Sequence, residues 1–181
     1  MAKEDLSEHF VSGESVFAGR LLDVRRDTVR MPDGAQATRE YIRHPGAVAV
    51  LAFTAAGNVV LERQYRYALA RDFLEIPAGK IEPGEGLLES AKRELLEETG
   101  YVASEWQRLT TIHNAIGYSD EAIELYAARG LVKHKQDLDE EEFLEVIELP
   151  FAEAIAMIRD GRITDVKTMV ALMWVEAFAK K

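Results

Sequence analysis

Residues 79–101 read GKIEPGEGLLESAKRELLEETGY, and this stretch decides how the rest of the chain is interpreted. Three of its glutamates, Glu94, Glu97 and Glu98, are spaced i, i+3 and i+4. On a helix this spacing places them on one side, where like charges repel each other. We therefore expect a cation among them. Mg²⁺ is a hard cation that is usually shared between carboxylates and substrate phosphates.

A run of acidic residues is more often a solvated helix face than a metal site. Here the run is accompanied by four residues at fixed distances, namely Gly79, Glu85, Arg93 and Gly100. Each of the seven fixed residues has a background frequency of roughly 5–7%, so the combination arises by chance in on the order of one such chain in a million. A solvated face alone therefore does not account for the pattern.

Composition excludes several classes of function. The chain has 181 residues, enough for one domain or one domain with an appendage. A formal net charge of −10 argues against a nucleic-acid backbone or an anionic membrane surface as partner. There is no cysteine, which excludes disulfides, thiolate metal sites and cysteine nucleophiles. Residues 1–10 are charged and lack an apolar core, so we expect neither a signal peptide nor a membrane anchor. We therefore expect a cytoplasmic protein.

The first 45 residues predict a small antiparallel sheet. Two strands are expected within Ser15–Arg30 and a third at Gln36–Arg43, around a turn at Met31–Gly34. Such a sheet is too small to bury much core alone. It needs the rest of the chain or a second subunit to cover it. We therefore predict two domains, 1–45 and 46–181.

The remaining residues predict strands and helices in a mixed order. A buried strand is expected at Ala47–Phe53, and a helix from Leu87 to Thr99 that Gly100 ends. Phe151–Arg159 predicts a second helix, and an apolar stripe from Val166 to Phe178 predicts a long C-terminal helix whose stripe is core. Further strands are expected at residues 59–65, 73–77, 106–113, 121–129 and 143–149. This order suits an α/β fold, a mixed sheet with helices on both faces.

The fixed residues of 79–101 resemble the Nudix box, which reads Gly-x5-Glu-x7-Arg-Glu-aliphatic-x-Glu-Glu-x-Gly-aliphatic. Every polar position agrees. Only Tyr101 departs, at the last position, which is usually aliphatic and packs in the interior. The resemblance implies a Nudix-type α/β/α sandwich. It also implies hydrolysis, dependent on Mg²⁺ or Mn²⁺, of a nucleoside diphosphate linked to another group.

The clustered glutamates suggest how the metal is held. We assign Glu94 and Glu98 as direct ligands and Glu97 as a further ligand, directly or through water. The resemblance adds the backbone carbonyl of Ala78, for which strand-end packing is the alternative. Arg93 lies four residues before Glu97 and can pair with it and orient it.

A second acidic cluster lies at residues 137–142, directly before an apolar strand. Taken alone it is more typical of a solvated loop. In Nudix hydrolases that act on ADP-ribose, a comparable loop supplies the general base and a further metal contact. On that resemblance Glu140 and Glu142 are the candidate bases, and Glu142 a candidate metal contact. Which of them takes the proton stays open at this point.

Several segments outside the box are similar to the ADP-ribose pyrophosphatase group. They are residues 39–48, Gln64–Tyr67, 74–79 and 139–143. The resemblance implies that Arg66 and Arg39 hold the diphosphate and that Glu75 and Glu121 bind substrate. An arginine fork matches phosphate oxygens geometrically, although solvation at a strand edge is the alternative for both arginines.

One departure bears on the substrate. Where the group usually has Ser-Pro-Gly, this chain has Ala115-Ile116-Gly117. We expect hydrolysis of ADP-ribose to AMP and ribose 5-phosphate, with another nucleoside diphosphate sugar such as GDP-mannose as the alternative. An oxidised-nucleotide triphosphatase and a non-catalytic sensor of ADP-ribose fit less well. The group also implies a homodimer with exchanged N-terminal sheets, in which Phe17 could stack on adenine or belong to the core.

Overall fold

The computed structural model describes residues 5–138 and 142–178. The chain divides into two compact units. The first consists of residues 1–45 and 113–122, and the second of residues 46–112 and 123–181. Residues 113–122 thus belong with the N-terminal segment, although more than sixty residues of sequence separate them.

The first unit is a three-stranded antiparallel sheet in the order β1-β2-β3. Its strands are β1 (His9–Ala18), β2 (Asp23–Arg30) and β3 (Gln36–Arg43). Gly34 has a φ of 86°, and its N–H donates to the carbonyl of Met31 in the expected turn. β1 begins earlier than expected because it pairs with β2 as far back as His9. All ten of its residues are exposed.

The second unit is a seven-stranded mixed sheet. Its main path runs β10-β5-β4-β9-β8, while β6 pairs with β5 and β7 with β4. Only β4 and β9 run parallel among these pairs; the others are antiparallel. The strands are β4 (Ala47–Phe53), β5 (Asn58–Arg66), β6 (Arg71–Glu75), β7 (Ala78–Lys80), β8 (Tyr101–Ile112), β9 (Ile123–Lys133) and β10 (Leu144–Pro150).

Helices cover both faces of this sheet. They are α1 (Leu87–Thr99), α2 (Phe151–Arg159) and α3 (Val166–Phe178). Every residue of β4 is buried, and alternate residues point to opposite faces. Leu51 joins a core cluster with residues of α2 and α3, whereas Val50 joins a second cluster with Ala91 and Leu95 of α1. The expected α/β/α sandwich with a mixed sheet is therefore confirmed.

The expectation for the C-terminal helix is wrong in detail. Its bounds agree with the prediction, but Val166, Met173 and Phe178 are exposed. The buried residues are Lys167, Thr168, Ala171 and Leu172. Met169, Val170 and Trp174 of the expected stripe also pack against the core. The apolar residues are spread around this helix, so periodicity found only part of its buried side. The strand expected at 73–77 is two short strands, β6 and β7, on either side of Ile76 and Pro77.

The end of α1 is tied to the segment that leads toward the acidic cluster. Gly100 adopts the left-handed conformation with φ 69°, as predicted for a helix end. A Cβ there would lie 2.8 Å from the carbonyl oxygen of His134. The His134 N–H donates to Gly100, and the Asp137 N–H donates to Glu97. None of the helices in the described part of the chain is long and apolar enough to cross a membrane.

Candidate active site

The three box glutamates are placed differently on α1. Glu94 and Glu98 are 9% and 4% exposed, whereas the Glu97 side chain is 41% exposed. Leu88, Ala91 and Leu95 form the stripe that packs against the sheet, and Glu94 and Glu98 lie beside it. The carboxylates of Glu94 and Glu98 are therefore buried at the border of the face that packs on the sheet, and the carboxylate of Glu97 is exposed to solvent.

Arg93 links four parts of the box. Its guanidinium binds both carboxylate oxygens of Glu85, with nitrogen–oxygen distances of 3.0 and 2.9 Å. One further nitrogen contacts Glu94 at 2.8 Å and Glu97 at 3.0 Å. The nitrogen that binds Oε2 of Glu85 also donates to the backbone carbonyl of Lys80. The hydrogen bonds to Glu85, followed by the neighbouring carboxylates, raise the pKa of Arg93. The predicted pair with Glu97 is present.

The strand β7 approaches α1 closely at Ala78 and Gly79. The backbone N–H of Ala78 donates to Oε2 of Glu98 at 2.8 Å. A Cβ on residue 79 would lie 2.0 Å from Oε1 of Glu94. Glycine at position 79 is thus required for the Glu94 carboxylate to occupy its place. The resemblance implies the Ala78 carbonyl as a metal ligand, and in the structure the Ala78 backbone contacts Glu98 through its N–H.

Burial and mutual repulsion raise the pKa values of these carboxyl groups. The pKa of Glu98 is well above its usual range because of burial, and then because of the charges of Glu62 and Glu94. Burial raises the pKa of Glu94 as well. Burial, and then the charge of Glu142, raises the pKa of Glu62 to about 8. Negative charge concentrated in a poorly solvated place favours binding of a cation.

The donor set fits a hard divalent ion. Within residues 5–138 and 142–178, no three acidic or histidine side chains are already arranged to hold a metal by themselves. Mg²⁺ does not need such a cage, because it keeps several waters and binds one or two carboxylates together with substrate phosphates. Glu94 and Glu98 supply those carboxylates; Gly79 leaves room for the Glu94 oxygens, and Arg93 holds one of them.

The structure describes only one of the two candidate general bases. Glu140 lies outside the described residues. Glu142 is partly buried, and its charge interacts with those of Glu62, Glu94 and Glu98. The acidic residue that precedes β10 is therefore within electrostatic range of the box carboxylates.

A second group of charges surrounds Glu75. Arg66 binds both oxygens of this carboxylate at 2.7 Å, and the amine of Lys167 contacts it too. Lys167 also lies 3.1 Å from Asp165. Burial alone would raise the pKa of Glu75, but the hydrogen bonds and charges of Arg66 and Lys167 outweigh burial and lower it. A cavity of about 250 Å³ is lined by these residues together with Leu69 and Phe73.

Two predicted substrate residues, Arg39 and Glu121, belong to the first unit. Arg39 on β3 forms a two-point ion pair with Glu8. Glu121 follows the turn at residues 114–118, and its carboxylate lies 3.7 Å from the imidazole of His44. Both of these residues thus have side-chain partners within their own unit.

Sequence reasoning missed Glu62, Lys167 and Asp165. Glu62 does leave a trace in the sequence, because it follows the apolar run Val59–Leu61 at a position that alternation assigns to the buried face. The trace for Lys167 is weaker. A single lysine among the apolar residues that begin α3 does not show whether its side chain is buried or exposed.

Comparison with known proteins settles the family. Residues 43–171 match the NUDIX domain, and residues 8–42 match the nucleoside diphosphate sugar hydrolase N-terminal domain. The chain belongs to the Nudix family. The helix α1 and the strand β7 are accordingly the structural form of its Nudix box, with Arg93 at the centre of the ion pairs.

Several relatives are similar to most of this chain. A methanol dehydrogenase activator of Bacillus methanolicus is 42% identical, over 93% of this chain and 92% of its own. An ADP-ribose pyrophosphatase of Bacillus subtilis is 37% identical, over 96% and 95%. A GDP-mannose pyrophosphatase of Yersinia enterocolitica is 37% identical over 78% of each chain. The crystal structure of an ADP compounds hydrolase superimposes with a TM-score of 0.84 at 25% identity, covering 96% of this chain and 95% of that chain.

Proposed function

We propose that this protein hydrolyses the pyrophosphate bond of ADP-ribose, in a metal-dependent reaction, to AMP and ribose 5-phosphate. The observation that carries the proposal is the pair of buried glutamates, Glu94 and Glu98, held by β7 and Arg93. The choice of substrate is supported by the similarity, over 96% of the chain, to an ADP-ribose pyrophosphatase. The metal is Mg²⁺, with Mn²⁺ as the alternative.

Glu94 and Glu98 would hold the metal together with Glu97 and the carbonyl of Ala78. The ion supplies charge neutralisation at the phosphoryl oxygens and a lowered pKa for bound water. Glu98 is fixed by the backbone N–H of Ala78, and Glu97 by the guanidinium of Arg93. These contacts orient the carboxylates before any substrate arrives, which reduces the reorganisation required in the reaction.

Glu142 or Glu140 would act as the general base. The electrostatic contact of Glu142 with Glu94 and Glu98 supports Glu142. A metal contact by Glu142 belongs to the same proposal.

Arg66 and Arg39 would bind the diphosphate, with Glu75 and Glu121 contacting substrate. Nε and one terminal nitrogen of Arg66 face Glu75, and its side chain is still 45% exposed. A guanidinium has five N–H donors, so this pairing leaves others for phosphate oxygens. Glu75 would then serve chiefly to orient Arg66.

Product analysis tests the proposal. The protein is incubated with ADP-ribose or GDP-mannose, with Mg²⁺ or with a chelator, and the nucleotides are separated by chromatography. Metal-dependent AMP, formed much faster than GMP, is the expected result. GMP without AMP would assign the protein to the alternative substrate, which the GDP-mannose relative supports. Tight binding of ADP-ribose without product would indicate a sensor and overturn hydrolysis.

Ile116 gives little reason to expect a different reaction. Its side chain is 84% exposed in the turn at residues 114–118, so replacing the usual proline there removes no packing contact from the core. Restoring Pro at this position should leave the ratio of AMP to GMP formation unchanged. A shift of that ratio would make this turn a determinant of specificity.

The proposal includes a homodimer formed through the N-terminal sheet. It is supported by β1, all of which is exposed and which carries Phe10 at 68% and Phe17 at 56% exposure. Light scattering should give the mass of two chains, and Phe10→Glu should reduce it to one. A monomeric wild-type protein would refute this part. The location in the cytoplasm and a stacking role of Phe17 on adenine stay predictions.

A further inference from the structure

Two glutamates are paired on the adjacent strands β5 and β6. Hydrogen bonds from cationic side chains compensate the charge of only one of them. Glu62 on β5 is directly opposite Glu75 on β6. Arg66 and Lys167 bind the Glu75 carboxylate. Glu62 is 3% exposed, and its Oε1 is buried without a hydrogen-bond partner among the residues that the structure describes.

Glu62 points toward the box helix. Val60, two residues earlier on the same strand, packs in the cluster formed with α1. Because alternate residues of a strand share a face, Glu62 lies on that side as well. Its charge interacts with that of Glu98 and with that of Glu142. The partnerless oxygen thus belongs to the same concentration of carboxylates as the box.

Burying a carboxylate without a partner is strongly unfavourable, and an apolar residue at this position in the interior would be stable without one. A divalent cation provides the missing partner. We propose that Glu62 is an additional ligand of the divalent ion bound at the box, contributed by β5 and not by the box itself. This inference rests on the proposed metal-dependent function.

The proposal defines a ligand set that spans two elements. Glu94 and Glu98 come from α1, and Glu62 comes from the sheet on which α1 packs. Among the described residues no three such side chains are arranged around one point, so a metal bound by all three would draw them together and join the helix to β5. The alternative is a permanently neutral carboxyl group at position 62 with a packing role only. That alternative predicts no change in metal affinity when the carboxyl is replaced by an amide of the same shape.

Binding of Mn²⁺ alone separates these alternatives. The free ion is measured by electron paramagnetic resonance during titration of the full chain at neutral pH, without nucleotide. Glu62→Gln should weaken binding about tenfold or more, the scale seen for groups that support metal ligands. Glu105→Gln, the same change at an exposed strand glutamate, is the matched control and should bind as the wild type does. Glu98→Gln should lose most of the binding.

Wild-type affinity in Glu62→Gln, together with lost affinity in Glu98→Gln, would overturn the inference and leave the proposed function intact. Should Glu62→Gln not fold, Glu62→Asp keeps the charge and withdraws it by one methylene, and unchanged affinity there would also overturn it. Hydrolysis of ADP-ribose is measured in parallel. A wild-type protein that binds Mn²⁺ but forms no AMP would overturn the proposed function, while the comparison of variants still decides the role of Glu62. A wild-type protein that binds no Mn²⁺ without nucleotide would overturn the inference about Glu62, and metal-dependent AMP formation would then decide the proposed function by itself.

Discussion

The guanidinium of Arg66 and the carboxylate of Glu75 are joined by two hydrogen bonds of 2.7 Å across the antiparallel pair β5 and β6. Lys167 reaches the same carboxylate from the first turn of α3. One carboxylate therefore binds two cations, and it connects the sheet to the C-terminal helix. The Lys167 side chain is only 10% exposed, so its contact with Glu75 lies away from bulk water.

Removing Glu75 should destabilise the fold. Glu75→Gln leaves the buried amine of Lys167 with Asp165 alone, and breaking a buried ion pair at one side typically costs about 3 kcal/mol or more. Urea unfolding followed by circular dichroism should show a decrease of that size in the free energy of unfolding. Asp160→Asn disrupts the exposed pair with Arg162 and is the control, expected to be as stable as the wild type. Equal stability of both variants would contradict the prediction.

A methyl group at position 79 should displace Glu94. In Gly79→Ala the Cβ would lie 2.0 Å from Oε1 of Glu94, so the carboxylate must move. We expect Mn²⁺ affinity to fall about tenfold, as for other losses of ligand orientation, and AMP formation to fall with it. Gly86→Ala, where an added Cβ meets nothing within 4 Å, should retain wild-type affinity. Calorimetric titration with Mn²⁺ compares the two, and unchanged affinity in Gly79→Ala would refute the constraint.

Metal should stabilise the protein through Glu98. Without metal, Glu98→Gln removes a carboxyl that is buried and repelled by its neighbours, so its melting temperature should equal or exceed that of the wild type. On addition of Mg²⁺ the wild type should gain stability and the variant should not, because binding to the native state alone stabilises it. Turnover should decrease by about 100-fold or more in this variant and in Glu97→Gln. Full activity in either would show that the metal assignment is wrong.

Glu85 should determine part of the acid stability. Its hydrogen bonds to Arg93 lower its pKa from 4.5 to about 2. A lowered pKa in the folded state means that the stabilisation is complete above the unfolded value and is lost as pH falls toward the folded value. The melting temperatures of the wild type and Glu85→Gln should therefore differ at pH 7, approach each other below about pH 4.5 and coincide near pH 2. A difference that stays constant from pH 7 to pH 2 would refute this role.

The sequence predicted those features that depend on local spacing. The bounds of α1, the end at Gly100 and the grouping of Glu94 with Glu98 follow from a 3.6-residue period and from one glycine. Glu62 could not be assigned in this way. A single charge in an apolar strand shows that something unusual occurs there, but the charges near it come from Glu75 on β6, Glu98 on α1 and Glu142, two residues before β10. Those contacts depend on strand order, which local sequence does not specify.

The buried side of α3 could not be predicted from the sequence for a similar reason. Apolar residues occur almost all around this helix, so its buried side is decided by what it packs on. Thr168 shows this. Its hydroxyl accepts the N–H of Ile76, between β6 and β7, at 2.8 Å. A polar residue is therefore in the interior because a strand break leaves a backbone donor that needs it.

The hydrogen bond from the Ala78 backbone to Glu98 has a consequence for how this site tolerates mutation. The donor is part of the main chain, so nearly every substitution at position 78 preserves it, and only proline lacks the N–H. Genetic drift at this position can change the side chain repeatedly without removing the group that fixes Glu98. The side chain of Ala78 packs against the core, so large replacements must also fit there. Saturation mutagenesis should therefore find small residues tolerated at position 78 whatever their polarity, and proline excluded.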